Sequence, residues 1–206
     1  GKTVLIDSIQ SGDIELVKLL LTKGASPQIQ EMYGRNAYHE AAETGNTELI
    51  ELIRMAGGNP LFRDTHGRTP FSLVLGKSEE TIKAILGNDK NLCDSDGNTP
   101  VHIAVLNKVD PSIIKLLVSM DYPLNRRNSL GLTPLTLAVK NNQVELTKIL
   151  IDCGADPFIT DNSGECAVSI AIENNSDILN AIVQTTGNKK DMAGEGILHY
   201  AVRTGD

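Results

Sequence analysis

Glycine recurs along this chain at intervals of 33, 33, 30, 34, 33 and 30 residues. Self-similarity at a nearly fixed period of roughly 20 to 50 residues is typical of proteins built from stacked repeats. The period constrains the fold more than the composition does, because each unit must contain one small element that packs on its neighbours. The recurring residues are Gly1, Gly34, Gly67, Gly97, Gly131, Gly164 and Gly194.

A similar run of residues follows most of these glycines. Gly97 is followed by Asn98-Thr99-Pro100-Val101-His102, and Gly131 by Leu132-Thr133-Pro134-Leu135. Thr before Pro is typical of a helix start, since the hydroxyl can cap free backbone donors and Pro tolerates the first helical position. An apolar segment, a polar break and a second apolar segment come next. Each unit is therefore predicted to be a helix–turn–helix element.

The predicted helices are too short to be stable alone in water, so they must stack on the units before and after. Aromatic residues make up only 3% of the chain and Trp is absent, so the core must consist of Leu, Ile, Val and Ala. These features predict a linear solenoid with one continuous core and no closed active-site cavity.

The period, the Thr99-Pro100-Val101-His102 box and the Gly154-Ala155-Asp156-Pro157 turn resemble the ankyrin repeat, and the resemblance covers the whole chain. It implies a mainly α fold, an ankyrin-repeat solenoid of helix–turn–helix units linked by β-hairpin-like turns. We expect a single array over 1–206 that is a fragment of a longer one, because neither end has a polar capping repeat. The predicted repeats are 1–33, 34–66, 67–96, 97–130, 131–163, 164–193 and a partial 194–206.

The third and sixth repeats, 67–96 and 164–193, are shortened to 30 residues and lack the Gly-Ala-x-Pro turn. Both carry Ala-Ile in the second helix, as Ala84-Ile85 and Ala181-Ile182. One interpretation is a higher-order unit of three repeats whose third member is always shortened. The other is two independent deletions, and the sequence leaves both open.

Bulk charge and cysteine usage exclude several classes of function. The formal net charge is −7, which gives no electrostatic reason to expect nucleic-acid binding. The three cysteines, Cys93, Cys153 and Cys166, match no metal-ligand spacing and no disulfide framework, which favours a reducing compartment such as the cytoplasm. No segment approaches the length of a transmembrane helix, so we expect no membrane insertion.

No catalytic constellation emerges from the sequence, and we expect neither enzymatic activity nor a cofactor. His39, His102 and His199 share one position of the repeat, where the resemblance implies a structural hydrogen bond to a neighbouring turn. His66 differs, because it falls at a turn tip and should be exposed. Most Asp and Glu side chains fall at turns or on outer helix faces, where solvation and capping are the default roles.

The ankyrin resemblance implies that turn tips and first helices line a concave groove that contacts a partner. Two tips are unusual. Met32, Tyr33 and Arg35 combine residue types enriched at interface hot spots, and Leu130 and Leu132 flank a turn glycine that should be solvated. The alternative is that each pair packs on the adjacent tip. The residues predicted to bind a partner are Met32, Tyr33, Arg35, His66, Arg68, Asp96, Asn98, Leu130, Leu132 and Glu165.

The resulting functional hypothesis is a monomeric protein–protein interaction module that binds another protein on its concave surface. The alternative is an intramolecular regulatory or tethering segment of a larger enzyme, channel or secreted effector.

Overall fold

A computed structural model describes residues 2–174 and 176–186, together with Gly194, Gly196, Ile197, His199 and Val202. Gly1 and most of the predicted partial seventh repeat lie outside the described residues. Within the described part of the chain, all regular structure is helical. The prediction of a mainly α fold built from helix–turn–helix units is confirmed.

Each predicted repeat from the first to the sixth contributes two helices. The first helices of the repeats are α1 (Val4–Ser11), α3 (Ala37–Thr44), α5 (Pro70–Leu73), α7 (Pro100–Leu106), α9 (Pro134–Lys140) and α11 (Ala167–Asn174). The second helices are α2 (Ile14–Thr22), α4 (Thr47–Met55), α6 (Glu79–Leu86), α8 (Pro111–Ser119), α10 (Val144–Asp152) and α12 (Ser176–Thr186).

Polar side chains just before the helices explain where the helices begin. The Thr3, Thr69 and Thr133 hydroxyls accept the N–H of the residue three positions on, which satisfies a donor that has no partner inside the helix. Asn36 takes the same position before α3 and accepts the N–H groups of Tyr38 and His39. The helix starts predicted from Thr-Pro are therefore present in α5, α7 and α9.

The chain divides into two compact units, Gly1–Ser95 and Asp96–Asp206. In the first unit, α1, α3 and α5 pack on one another in chain order, and so do α2, α4 and α6. The core between these two layers is aliphatic with two aromatic rings. Its fully buried side chains include Ile6, Tyr38, Ile50, Phe71 and Ile85.

The second unit repeats this arrangement with α7, α9 and α11 in one layer and α8, α10 and α12 in the other. Its core is formed by branched aliphatic side chains, each of which stabilises the fold by roughly 1.5–3 kcal/mol when removed from water. Fully buried members include Val101, Ile114, Leu135, Leu150 and Val168.

The second helices end in different ways in full and shortened repeats. In α4, the N–H groups of Gly57 and Gly58 donate to the carbonyls of Arg54 and Ile53, at 3.0 and 2.9 Å. Gly57 has a φ of 88°, a left-handed conformation that glycine adopts without a steric penalty. The α2 and α10 helices close in the same way through Gly24-Ala25 and Gly154-Ala155. The shortened third repeat has no such turn after α6.

Candidate partner-binding surface

The turn tips are hairpin-like and have one geometry in common. At four tips the first residue donates its N–H to the carbonyl of the fifth: Glu31 to Arg35, Asp64 to Arg68, Asn128 to Leu132 and Asp161 to Glu165, at 2.7–2.9 Å. The fourth residue of each tip is the recurring glycine, with φ between 73° and 83°. The β-hairpin-like turns predicted from the sequence are therefore present.

Neighbouring tips within each unit are joined through their backbones. In the first unit the Thr65 N–H and hydroxyl both donate to the Tyr33 carbonyl, at 3.0 and 2.9 Å. In the second unit Ser129 N–H donates to the Asp96 carbonyl at 2.9 Å, and Asn162 N–H to the Leu130 carbonyl at 3.2 Å. These bonds fix the spacing of exposed tip side chains, which lowers the entropy lost when a partner binds.

The shared histidines connect first helices to the next tip, as the resemblance implied. His39 Nε2 lies 3.2 Å from the Arg68 carbonyl and His102 Nε2 lies 2.9 Å from the Leu132 carbonyl, so each ring donates one hydrogen bond across repeats. Burial lowers the pKa of His39, and the Arg35 charge adds to that effect, which keeps the buried ring neutral. In the seventh repeat, His199 Nδ1 accepts the Gly196 N–H.

At the Gly34 tip, Met32 and Tyr33 project into solvent with 78% and 53% of their surface exposed. The Tyr33 ring lies beside His66 of the next tip, with centroids 6.5 Å apart and planes tilted by 47°. His66 is exposed, as the sequence predicted. Tyr33 and His66 therefore lie together across two tips, and with the exposed Met32 beside Tyr33 in the chain we call these three predicted residues the Tyr33 patch.

Arg35 does not join that patch, which corrects the prediction of an exposed arginine. It is only 8% exposed, and its Nε donates to Glu40 while Nη1 donates to Glu43, both at 2.8 Å. The residue after the tip glycine points back towards the first helix, and an arginine there must be paired to be buried. The hydrogen bond from Arg35 lowers the pKa of Glu43 despite partial burial, so the pair stays ionised.

Arg68 is anchored at the Gly67 tip but keeps part of its guanidinium in solvent. Its Nε and Nη2 both contact Asp64 Oδ2 at 2.9 Å, and its N–H donates to Asp64 Oδ1. Burial alone would raise the pKa of Asp64, but the N–H donors of Arg68 and His66 and the Arg68 charge outweigh it and lower the pKa. Arg68 therefore borders the Tyr33 patch as a fixed, partly exposed cation.

In the second unit, Asp96 is exposed whereas Asn98 is buried, which corrects the prediction for Asn98. The Asn98 Oδ1 atom accepts a hydrogen bond from Asn128 Nδ2 at 2.9 Å, so its amide joins two tips.

Leu130 and Leu132 flank the same glycine but differ in environment. Leu130 is 67% exposed, whereas Leu132 is 8% exposed, so the prediction of an exposed aliphatic pair is wrong for Leu132. The Leu132 carbonyl accepts from both Asn128 N–H and His102, which holds this residue against the repeat stack. Leu132 is therefore buried within the repeats, and Leu130 alone remains a candidate contact.

Glu165 is half-buried and paired with Lys140, the last residue of α9. Lys140 Nζ donates to Glu165 Oε2 at 3.0 Å and to Asp161 Oδ2 at 2.9 Å. The hydrogen bond that Lys140 donates to Asp161 raises the pKa of Lys140, and the one that it donates to Glu165 adds to this effect. Glu165 thus connects two repeats and offers a partner only part of its carboxylate.

A chain of polar side chains across α1 and α3 was not predicted from the sequence. Lys2 donates to Gln10 at 2.8 Å, Gln10 to Glu40 at 2.6 Å, and Glu40 accepts from Arg35, which also reaches Glu43. The sequence signal for this chain was Glu40, because the position four residues after the cap is charged in the second repeat and apolar in the third to sixth. The side chains at that position are Asp7, Glu40, Leu73, Ile103, Leu137 and Ile170.

The outer helices of the first unit border an open cleft of about 470 Å³ between α4 and α6. Its lining includes Glu51, Arg54, Glu80 and Lys83, so acidic and basic groups balance. Among the residues that the structure covers, no three His, Cys, Asp or Glu side chains are placed to share a metal ion. None of the described helices has the length and apolar character needed to cross a bilayer.

Residues 1–64 and 71–161 match the sequence model described as ankyrin repeats (three copies). The chain is 32% identical over 122 residues to the B-cell lymphoma 3 protein homolog of Mus musculus, covering 54% of this chain and 27% of that protein. It is 35% identical over 138 residues to mouse Rabankyrin-5, covering 62% of this chain and 12% of that protein. The chain thus spans about a quarter or less of the length of these relatives.

Among solved structures, the ankyrin repeat domain of Bcl-3 is similar, with a TM-score of 0.74 and 24% sequence identity. The match covers 98% of this chain and 94% of that one. At this level of identity, the likeness supports the fold and carries no information on partners.

Proposed function

Because this chain belongs to the ankyrin repeat family, we propose that it is a protein–protein interaction module whose partner contacts the exposed turn tips. Ankyrin repeats are generally protein interaction modules, and the relatives are ankyrin-repeat proteins. A rigid array of short repeats supplies an extended surface for a partner and does not require a catalytic centre.

The Tyr33 patch is the observation that carries this proposal. Met32 and Tyr33 are large, exposed and held on a hairpin whose carbonyl is bonded to the next tip. Tyrosine and methionine are enriched at interfaces, because they bury large areas on contact. Arg68 and Glu43 are exposed charged residues near the patch, and the Arg68 charge contributes to the lowered pKa of Glu43. We propose that a partner places an apolar side chain on the patch and polar groups on this rim.

In the second unit, Leu130 is the proposed contact, with Asp96 on the preceding tip as a polar neighbour. The Asp96 and Leu130 carbonyls both accept bonds from following tips, so these positions are fixed in the same way as Tyr33. Leu106 at the end of α7 is a further exposed aliphatic residue, and it is not among the residues predicted from the sequence.

Substitution of exposed tip residues tests the proposal with matched controls on outer helices. Tyr33→Ser and Leu130→Ser are compared with Met55→Ser and Leu19→Ser, which also remove exposed apolar side chains. Proteins captured by each variant from a lysate are quantified by mass spectrometry, and the affinity of each captured protein is then measured. We expect a fall of at least about tenfold for the tip variants only.

Equal capture by all four variants and the wild type would rule out the tips as anchors. A photo-crosslinking amino acid placed at Met32 and, as a control, at Met55 adds a direct measure of proximity. The proposal requires partner adducts from position 32 and few or none from position 55.

A second candidate function is an intramolecular one, in which the repeats bind or tether another part of a longer protein. The observation behind it is that the matched relatives are several times longer than the matched segment. The same crosslinker at Met32 distinguishes the two candidates when it is placed in the full-length protein. Adducts within one polypeptide would favour tethering, and adducts with a second protein would favour the interaction module.

A further inference from the structure

Two side chains of the second repeat reach the C-terminal end of α6 in the shortened third repeat. The Tyr38 hydroxyl donates to the Ile85 carbonyl at 2.7 Å, and Arg54 Nε donates to the Ala84 carbonyl at 3.1 Å. Carbonyls at the end of a helix have no partner inside it, so a side-chain donor replaces the missing backbone bond. We call Tyr38 and Arg54 together the strap.

The strap fits closely against α6. Tyr38 is fully buried at a position that is apolar in the other described repeats (Leu5, Phe71, Val101, Leu135 and Val168), and it alone brings a hydroxyl to that position. Arg54 runs alongside Gly87, where an added Cβ atom would lie 2.9 Å from Arg54 Nη1. Gly87 also has a φ of 56°, so its conformation favours glycine independently of the contact.

Full repeats need no strap, because their second helices are closed by their own chain. The Gly57 and Gly58 N–H groups close α4, and Gly154 and Ala155 close α10. At the end of α6, the Gly87 N–H donates to the Lys83 carbonyl at 2.9 Å. In full repeats the carbonyl that corresponds to Ile85 accepts the second N–H of the turn, and the carbonyl that corresponds to Ala84 accepts the N–H of the residue before the glycine. In α6 these two carbonyls accept Tyr38 and Arg54 of the second repeat instead.

We propose that the strap makes the folded end of α6 conditional on a folded second repeat. Opening of α3 or α4 withdraws the Tyr38 hydroxyl and the Arg54 guanidinium, and the last turn of α6 then loses its partners. This dependence goes beyond the ordinary packing of neighbouring repeats, because it concerns two named carbonyls and acts from the second repeat on the third. It is independent of the proposed partner-binding function.

Native-state hydrogen exchange on the whole chain tests the strap. The variants are Tyr38→Phe and Arg54→Gln, and the matched control is Tyr33→Phe, which removes an exposed hydroxyl five residues before Tyr38. We expect the Leu86 and Gly87 amides to lose about tenfold in protection in each strap variant, because the terminal turn frays. Amides of α2 and of α4 should keep their protection, as should all amides in the control.

Two results would overturn the proposal: unchanged protection at Leu86 and Gly87, or an equal loss throughout α2, α4 and α6. Arg54→Gln keeps the test decisive if Tyr38→Phe fails to fold, because Arg54 is only partly buried. A second measurement uses Ile50→Val to weaken α4 from within its core. The strap predicts that amide exchange at the end of α6 rises together with amide exchange in α4 in this variant. It also predicts a larger rise at the end of α6 than in α2, and a larger rise in α2 would contradict the proposal.

Discussion

The third and sixth repeats have lost the same number of residues, but they stabilise their second helices differently. In the third repeat, the Ala84 and Ile85 carbonyls accept donors from Arg54 and Tyr38 of the preceding repeat. In the sixth repeat, the corresponding carbonyls of Ala181 and Ile182 accept the hydroxyls of Thr185 and Thr186, at 2.8 and 2.7 Å. There α12 simply continues to Thr186, so the same carbonyls lie inside the helix.

The turns that open these two repeats also differ, because their aspartates have different partners. Asp64, which opens the third repeat's turn, is paired with Arg68 of the same tip. Asp161, at the same position before the sixth repeat, is paired with Lys140 from the end of α9. The two shortened repeats therefore use different residues for the same tasks: Arg68 or Lys140 at the opening turn, and the strap or two threonine hydroxyls at the second helix. A shared length is no sign of a shared mechanism of stabilisation.

The largest difference between the two repeats should come from the buried hydroxyls. Tyr38→Phe leaves the buried Ile85 carbonyl without its donor, and we expect a loss of about 2 kcal/mol in the free energy of unfolding. Thr186→Val removes a hydroxyl from a carbonyl that is already inside α12, so the loss should stay below about 1 kcal/mol. Urea unfolding of both variants measures the contrast, and equal losses would remove the distinction between the repeats.

A smaller effect is expected at Arg54, whose counterpart before the sixth repeat is the buried Ile151. Arg54→Gln should cost about 0.5–1.5 kcal/mol, because a partly buried hydrogen bond is lost while water can reach the site. The double variant with Tyr38→Phe should cost less than the two single losses combined, since both side chains hold one helix end. Strict additivity, measured by urea unfolding, would mean that the two act separately.

The smallest effect should appear on acidification, at the carboxylates of the opening turns. Burial alone would raise the pKa of Asp161, but Lys140 and the Ser163 and Glu165 N–H groups outweigh it and lower the pKa. A lowered folded pKa stabilises the fold above the unfolded value, about 3.9, and this contribution is lost as the pH falls through the folded pKa. Lys140→Met should raise the folded pKa and so reduce the stability gained between pH 3 and pH 6.

The expected reduction for Lys140→Met is below about 1 kcal/mol, because the lysine is partly exposed and screened by solvent. Asp64 is paired with Arg68, so the pKa of Asp64 should not change in the Lys140→Met variant. The measurement is the free energy of unfolding against pH, together with carboxyl titrations by NMR. A shift of Asp64 equal to that of Asp161 would contradict the separate pairing of the two turns.

Sequence periodicity was sufficient for the elements that every repeat shares. The helix starts and the tip glycines follow from the repeated pattern, and the bridging role of His39 and His102 was implied by the resemblance to the ankyrin repeat. The two 30-residue repeats could also be recognised from the glycine spacing. The strap could not be predicted, because a tyrosine in an apolar position and an arginine at a helix end each have an ordinary interpretation until the structure places both against one helix.

The candidate site was predicted less well than the fold. Met32, Tyr33, His66 and Leu130 have the exposure that their proposed role requires, whereas Arg35, Asn98 and Leu132 are buried. The three buried residues each directly follow a tip glycine, at the point where the chain leaves the exposed turn. Glu40, five residues after Arg35, was a hint that the arginine had an internal partner.

The tip geometry has a practical consequence for engineering. The two residues before each described tip glycine are exposed at every tip from the second repeat to the sixth, while the residue after the glycine is buried at three of the five. A library for new affinities should therefore randomise pairs such as Met32-Tyr33 and Ser129-Leu130. If Arg35 or Leu132 were randomised, many library members would fail to fold. Screening would then select for stability in place of recognition.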